Sequence, residues 1–360
     1  MVGLIRESKS PASQVEEHAV EPVEHEIVPS KVDPDWLIPT SSTLLNCACS
    51  DYHTGGFGIG KLVNLIGDSS SGKSMVALSV FAEMCMWQRY DDYRLIYDDV
   101  EAALEFNLDY LFGARMSRRV ELDTVSDTVQ DFYGNIVKAL KDGRPFVYIL
   151  DSLDALTSVE ELDRAMITAG LKKPKKGDPG SWKTEKPKLI GEILRVTARE
   201  IKEHEAVVII ISQTRDNLGF GFTSKTRSGG RALKFYCTHE MWLSVKEPIL
   251  KKKIPIGAHT NFKISKNKLT GKKRNVDMMI YEDLGVDNLT VNMQYLIDSG
   301  IWTMEKQTII APELKLQETM AKMIEQVEEK NLEPIIEELV GDTWRNFEEE
   351  LRLGRKRRYA

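Results

Sequence analysis

The stretch Gly67-Asp68-Ser69-Ser70-Ser71-Gly72-Lys73-Ser74 constrains this chain more than any other. It fits GxxxxGK[ST], and its flanks supply the setting that such a loop requires. Before it, Lys61–Ile66 (KLVNLI) reads as a buried strand. After it, Lys73–Tyr90 reads as a helix with apolar positions at Val76, Leu78, Val80, Phe81, Met84 and Met86. The glycines open backbone dihedrals closed to other residues, so successive N–H groups converge on phosphate oxygens. The N-terminus of the next helix adds its partial positive charge. Lys73 would neutralise β- and γ-phosphate charge, and Ser74 would ligate Mg²⁺. A second requirement is a carboxylate near the metal at the end of a neighbouring strand, and Asp151 directly follows the apolar run Phe146–Leu150 (FVYIL). A further carboxylate must orient the attacking water. Asp98, Asp99 and Glu101 all lie at the end of the strand Arg94–Asp98, and periodicity does not choose among them.

The rest of the chain alternates in the same way. Helical stretches at Asp123–Lys141 and Ile190–Glu203 separate the short apolar runs Phe146–Leu150 and Ala206–Ser212, which predicts a mostly parallel sheet covered on both faces. Period-2 stretches at Asn261–Ser265 and Val276–Tyr281 predict antiparallel strands that extend it. Residues 1–36 hold eight acids against three Lys or Arg and read as a flexible acidic arm. Residues 37–283 form the expected core. Residues 284–360 read as a small helical C-terminal domain (Leu314–Lys330, Leu332–Leu339, Thr343–Leu353) with a basic tail, Arg355-Lys356-Arg357-Arg358. No apolar run approaches the roughly 20 residues of a membrane span. No signal-peptide pattern opens the chain, and four cysteines fit a reducing cytosol, so a cytoplasmic location away from membranes is expected. Cys47 and Cys49 are too closely spaced for a zinc knuckle. The stripe Met75, Met84, Met86 and Trp87 reads as core packing.

In their order these motifs resemble the RecA family of ATP-dependent recombinases, from about Thr54 to about Trp302. Gly55–Lys61 is similar to the family's glycine-rich lead-in, and Asp151–Leu156 to its Walker B strand and exit. Asp99-Val100-Glu101 resembles the family's D-x-E, which implies Glu101 as the water-activating carboxylate. Ile211–Arg215 resembles the strand end whose glutamine, here Gln213, senses the γ-phosphate. Arg227–Tyr236 (RSGGRALKFY) is the most specific piece, similar to T-G-G-N-A-L-K-F-Y. Lys266-Asn267-Lys268 resembles a K-N-K pair that reaches the ATP of a neighbouring subunit. On a strand the two lysines share one face, so they can act like arginine fingers at a subunit junction. The resemblance implies a RecA-like P-loop core, ATP and Mg²⁺ as cofactors, and a homo-oligomer, either a helical filament or a ring.

It also implies two DNA-binding loops, near 157–190 and 214–231. The first carries seven lysines against two acids in residues 172–188, among them Lys172, Lys173, Lys175 and Lys176. The second carries Arg215, Lys225, Arg227 and Arg231 against Asp216, with Phe220 and Phe222 between them. Cations release counterions from a phosphate backbone, and rings stack on bases of any sequence. A chain of net charge −6 can therefore present a local basic path. The expected activity is that of a DNA-dependent ATPase that binds single- and double-stranded DNA and promotes homologous pairing and strand exchange in recombination and repair. A hexameric helicase on the same core and a nucleotide-switched mediator with little hydrolysis are the alternatives. Two departures stand out. No amphipathic helix is evident in residues 1–36, and Leu108 falls where the family often places an aromatic over adenine.

Overall fold

A computed structural model describes residues 32–172, 185–217, 224–227 and 229–355. The chain enters through β1 (Leu37–Ile38), crosses α1 (Thr43–Ser50), and returns as β2 (Phe57–Gly58), antiparallel to β1. Every residue of α1 is buried, including Cys47 and Cys49, and Ser42 caps it by accepting from the Leu45 amide. Next come β3 (Leu62–Gly67), α2 (Lys73–Cys85), β4 (Arg94–Asp99), α3 (Leu108–Arg119), β5 (Val120–Glu121), α4 (Val129–Asp142) and β6 (Phe146–Asp151). They are followed by α5 (Val159–Thr168), α6 (Glu185–Glu203), β7 (Val207–Asn217), β8 (Ser224–Arg227) and α7 (Gly230–Tyr236). Then β9 (His239–Lys251), β10 (Ile254–Asn267), β11 (Asn275–Tyr281) and β12 (Gly285–Val286) complete the sheet.

The central sheet has the order β12-β11-β10-β9-β3-β7-β6-β4-β5, with β8 paired to β7. From β9 to β5 the neighbours are parallel; β10, β11 and β12 add antiparallel strands at the other edge. This is the expected α/β, P-loop architecture. Side chains alternate between two apolar layers, as a pleated strand requires. Ile209 and Ile211 of β7 join α2 on one face, while Val208 and Ile210 join α4 and α6 on the other.

The helices differ from the sequence reading at their ends. α2 stops at Cys85, so Met75 and Met84 are core residues but Met86 and Trp87 are exposed, which corrects their assignment to the core. α4 begins only at Val129, where Thr128 and Asp131 form a capping box. The C-terminal segment is less purely helical than its composition implies. It comprises α8 (Asn288–Asp298), a three-stranded sheet of β13 (Thr303–Glu305), β14 (Thr308–Ala311) and β15 (Leu316–Thr319), then α9 (Met320–Lys330) and α10 (Glu333–Glu350). Its strands are too short to show a period of two. Its buried side chains Trp302, Met323, Val327, Ile336 and Trp344 belong to the same apolar layer as α2. Most of the acidic arm, 1–31, lies outside the described residues, as do 356–360 of the basic tail. Among the described residues no helix is long and apolar enough to cross a membrane.

Candidate functional site

β3, β7, β6 and β4 all end at one edge of the sheet, and the P-loop turns off the first of them. A Cβ on Gly67 would sit 2.5 Å from Ser71 Oγ and 2.9 Å from the Leu243 carbonyl oxygen, so only glycine lets the loop close there. Gly72 holds φ at +87°, and a Cβ on it would collide with Ile280. Asp68, Ser69 and Ser70 form the exposed rim; Ser71 is buried. Lys73 begins α2, and its Nζ donates to the Asp68 carbonyl at 2.6 Å and to Ser71 Oγ at 3.4 Å. Burial lowers its pKa, opposed by the charges of Asp151 and Glu101. Ser74 Oγ donates to Asp151 Oδ2 at 2.5 Å, and Tyr97 Oη donates to the same oxygen at 2.7 Å. Burial raises the Asp151 carboxyl, and the Ser74 and Tyr97 hydrogen bonds pull it back down. A hydroxyl and a carboxylate at the foot of a phosphate loop form a hard-oxygen set suited to Mg²⁺. A cavity of about 560 Å³ opens over Ser70–Met75, walled by Gly257, Ile280 and Tyr281.

The three acids at the end of β4 part company. Asp98 is fully buried on the other side, where it accepts from the Ser126 amide at 2.9 Å, the Ser126 hydroxyl at 2.6 Å and the Tyr148 hydroxyl. Asp99 folds its own turn by accepting from the amides of Ala103 and Leu104. Glu101 reaches across the sheet edge, accepting from the Ser152 hydroxyl and, at 3.1 Å, from Gln213 Nε2. Of the three, it is Glu101 whose charge acts on Lys73. Gln213 therefore lies between the P-loop edge and the basic segment that follows. Its neighbour Thr214 donates to Asp68 of the P-loop, and Arg215 pairs with Asp154 at 3.1 Å.

Part of the second basic segment is paired as a hairpin. β7 runs five residues past Ser212 and pairs antiparallel with β8, so Lys225 stands opposite Asp216. Arg227 is turned inward, 8% exposed, in an ion pair with the buried Glu240 at 2.7 Å. Arg231 remains exposed on α7, and Lys172 pairs with Asp163. Lys173, Lys175, Lys176, Phe220 and Phe222 lie outside the described residues.

Lys266 and Lys268 share one face as their spacing requires, but far from this edge. Lys266 is level with Glu240, which is level with Asn64 near the start of β3. The Lys268 amide bonds Thr238, whose amide bonds Leu62. At about 3.3 Å per residue, the strand from Asn64 to Gly67 sets Lys266 back from the P-loop by about 10 Å, and that from Leu62 sets Lys268 back by about 16 Å. Both ammonium groups donate to the Phe235 carbonyl at the C-terminal end of α7, at 3.0 and 2.6 Å. Burial and the Lys268 charge lower the Lys266 pKa to about 8.

Sequence reasoning missed several participants. Leu108 packs against the core, whereas Phe106, two residues earlier and 40% exposed, lines the cavity. Tyr97, Ser152 and Asp154 gave no local signal, because each acts by register with a residue distant in sequence.

A family profile described as the RecA N-terminal domain matches residues 30–287. Protein RecA of Thermotoga sp. (strain RQ2) is 28% identical over 284 residues, covering 76% of this chain and 73% of that protein. Protein RecA of Symbiobacterium thermophilum is 27% identical over 279 residues, 74% and 73% respectively. Protein RecA of Delftia acidovorans is 28% identical over 275 residues, 74% and 69%.

Proposed function

The chain belongs to the RecA family, and from that premise we propose that it is an ATP-dependent, single-stranded-DNA-binding recombinase that promotes homologous pairing and strand exchange. Membership carries a general role in DNA recombination and repair. The finer reading rests on the sheet edge. In it, amides of residues 69–74 and the α2 N-terminus bind the phosphates of ATP, and Lys73 leaves the Asp68 carbonyl to neutralise them. Ser74 and Asp151 would hold Mg²⁺, which when bound neutralises phosphate charge. Tyr97 keeps the Asp151 carboxylate aimed at Ser74 through its hydrogen bond. Glu101 orients the attacking water and takes its proton, with Ser152 fixing one oxygen of the carboxylate.

Gln213 is the reporter. Its amide donates to Glu101 here, and a γ-phosphate would compete for the same donor, so nucleotide occupancy biases the position of β7. Lys266 and Lys268 stand too far back to serve their own P-loop. In a homo-oligomer, filament or ring, they would serve a neighbour's, stabilising phosphoryl charge in the transition state. Phe106 is in position to stack on the base, the place that Leu108 leaves unfilled. DNA, single- and double-stranded, would follow the basic segments near 157–190 and 214–231.

The single observation that supports this reading best is the 3.1 Å contact between Gln213 and Glu101, which joins the candidate hydrolytic carboxylate to the strand leading into a basic loop. The test is steady-state ATP turnover with and without single-stranded DNA, for the native chain and Glu101→Gln. Turnover stimulated by DNA and lost in Glu101→Gln is expected. Absence of turnover in both conditions would remove the enzyme assignment and leave the nucleotide-switched mediator.

A further inference from the structure

We infer that Asp154 is a positioning residue that ties both basic segments to the nucleotide edge and holds Arg215 in reserve until nucleotide arrives. This rests on the reading of 214–231 as a DNA-binding segment. Asp154 lies three residues beyond Asp151, in a turn pinned by the Leu153 amide on the Ile211 carbonyl at 2.9 Å. Its carboxylate is nearly enclosed, the side chain 9% exposed, and its two oxygens divide their work. Oδ2 accepts from the backbone amide of Gln213 at 2.7 Å; Oδ1 accepts from Arg215 Nε at 3.2 Å and Nη2 at 3.1 Å. One acid thus grips the peptide of the γ-phosphate reporter and the first cation behind it. The backbone of the same turn anchors the other segment. Lys186, in the first turn of α6, donates to the carbonyls of Asp154 at 3.2 Å and Leu156 at 2.6 Å. The turn thus contacts Lys186 on the first basic segment and Arg215 on the second.

The chemistry of the Arg215 contact fits a reserve. The guanidinium is 60% exposed, and an ion pair in that setting is weak and open to competition. A DNA phosphate offers the same bidentate oxygens as the carboxylate. With Gln213 on Glu101, β7 holds its amide against Asp154 and Arg215 stays neutralised. When a γ-phosphate takes the Gln213 side chain, the strand tip shifts, the Asp154 grip loosens, and Arg215 is released to DNA. Linkage then requires DNA to raise nucleotide affinity by the same factor.

Two variants separate the parts. Asp154→Asn keeps an oxygen for the Gln213 amide but removes the charge opposite Arg215. Asp154→Ala removes both. Fluorescence anisotropy with a labelled single-stranded oligonucleotide, with and without a non-hydrolysable ATP analogue, gives the ratio of the two affinities. For Asp154→Asn we expect nucleotide-free DNA affinity to rise roughly fivefold or more and the ratio to fall towards one. A turn-stabilising role alone would leave the ratio as in the native chain, and that result overturns the inference. Hydrogen exchange at the Gln213 amide reads the grip without DNA. Protection in the native chain and Asp154→Asn, lost in Asp154→Ala, supports it; equal protection in all three overturns it. A native chain that binds no oligonucleotide would instead defeat the DNA-binding reading, while the exchange result still decides Asp154.

Discussion

The two ends of the central sheet carry opposite kinds of chemistry. At the front, where β3, β4, β6 and β7 end, acids and hydroxyls surround one lysine: Asp151, Glu101, Asp154, Ser74 and Ser152 around Lys73. At the rear, two lysines rest on backbone carbonyls at the end of α7. The front is rich in acceptors around a candidate nucleotide site; the rear presents a pair of cations. No rearrangement within one sheet brings them together, because paired strands are rigid over the intervening distance. On the proposed reading, the cations opposing phosphoryl charge would come from a second copy of the chain, as heterologous contacts in a filament or ring allow.

The largest effect should come from removing the rear cations. Lys266→Ala with Lys268→Ala should lower turnover by about a thousandfold, the scale of a lost trans-acting cation, with nucleotide binding to isolated chains intact. A matching loss of nucleotide binding, measured by equilibrium titration, would instead place the lysines in a structural role and break the comparison. At the front, Glu101→Gln should lower single-turnover hydrolysis by about a hundredfold while retaining the analogue's affinity.

A smaller and sharper effect is expected from pH. Lys266 is protonated below its pKa of about 8 and neutral above it, so the cation is lost as pH rises through that value. Turnover should decline across that range in the native chain, and Lys266→Arg should carry the activity to higher pH. Superimposable profiles would show that Lys266 charge does not matter. The smallest effect on chemistry concerns Asp98, which neighbours the site in sequence but not in space. Asp98→Ala leaves Ser126 and Tyr148 buried without their acceptor, costing about 1–3 kcal/mol of stability. Turnover per folded molecule should hardly change; a large loss by calorimetry-matched assay would move Asp98 into the front site.

How much of this was legible in the sequence follows the same division. The P-loop, Asp151 and the parallel strands were readable because each is local: a glycine spacing, an apolar run, a carboxylate after a strand. The D-x-E resemblance picked Glu101 from three acids, and the hydrogen bonds of Asp98 and Asp99 show what occupies the other two. What stayed hidden depends on register between strands remote in sequence. Tyr97 reaches Asp151 and Ser152 reaches Glu101 only because β4 and β6 pair in parallel. The β7–β8 hairpin went unread because its alternating residues are polar on both faces, leaving no apolar period. Arg227 looked like a surface cation for the same reason, since nothing nearby in sequence announced the buried Glu240.

The central claim, that one hydrolytic site is assembled from the front of one chain and the rear of another, is tested most directly by mixing two inactive variants. Lys73→Ala supplies intact rear lysines; Lys266→Ala with Lys268→Ala supplies an intact P-loop. In an equimolar mixture with single-stranded DNA, random assembly makes about a quarter of the junctions complete, and ATP turnover should return to about that fraction of the native rate. A mixture no more active than its two components apart would contradict it.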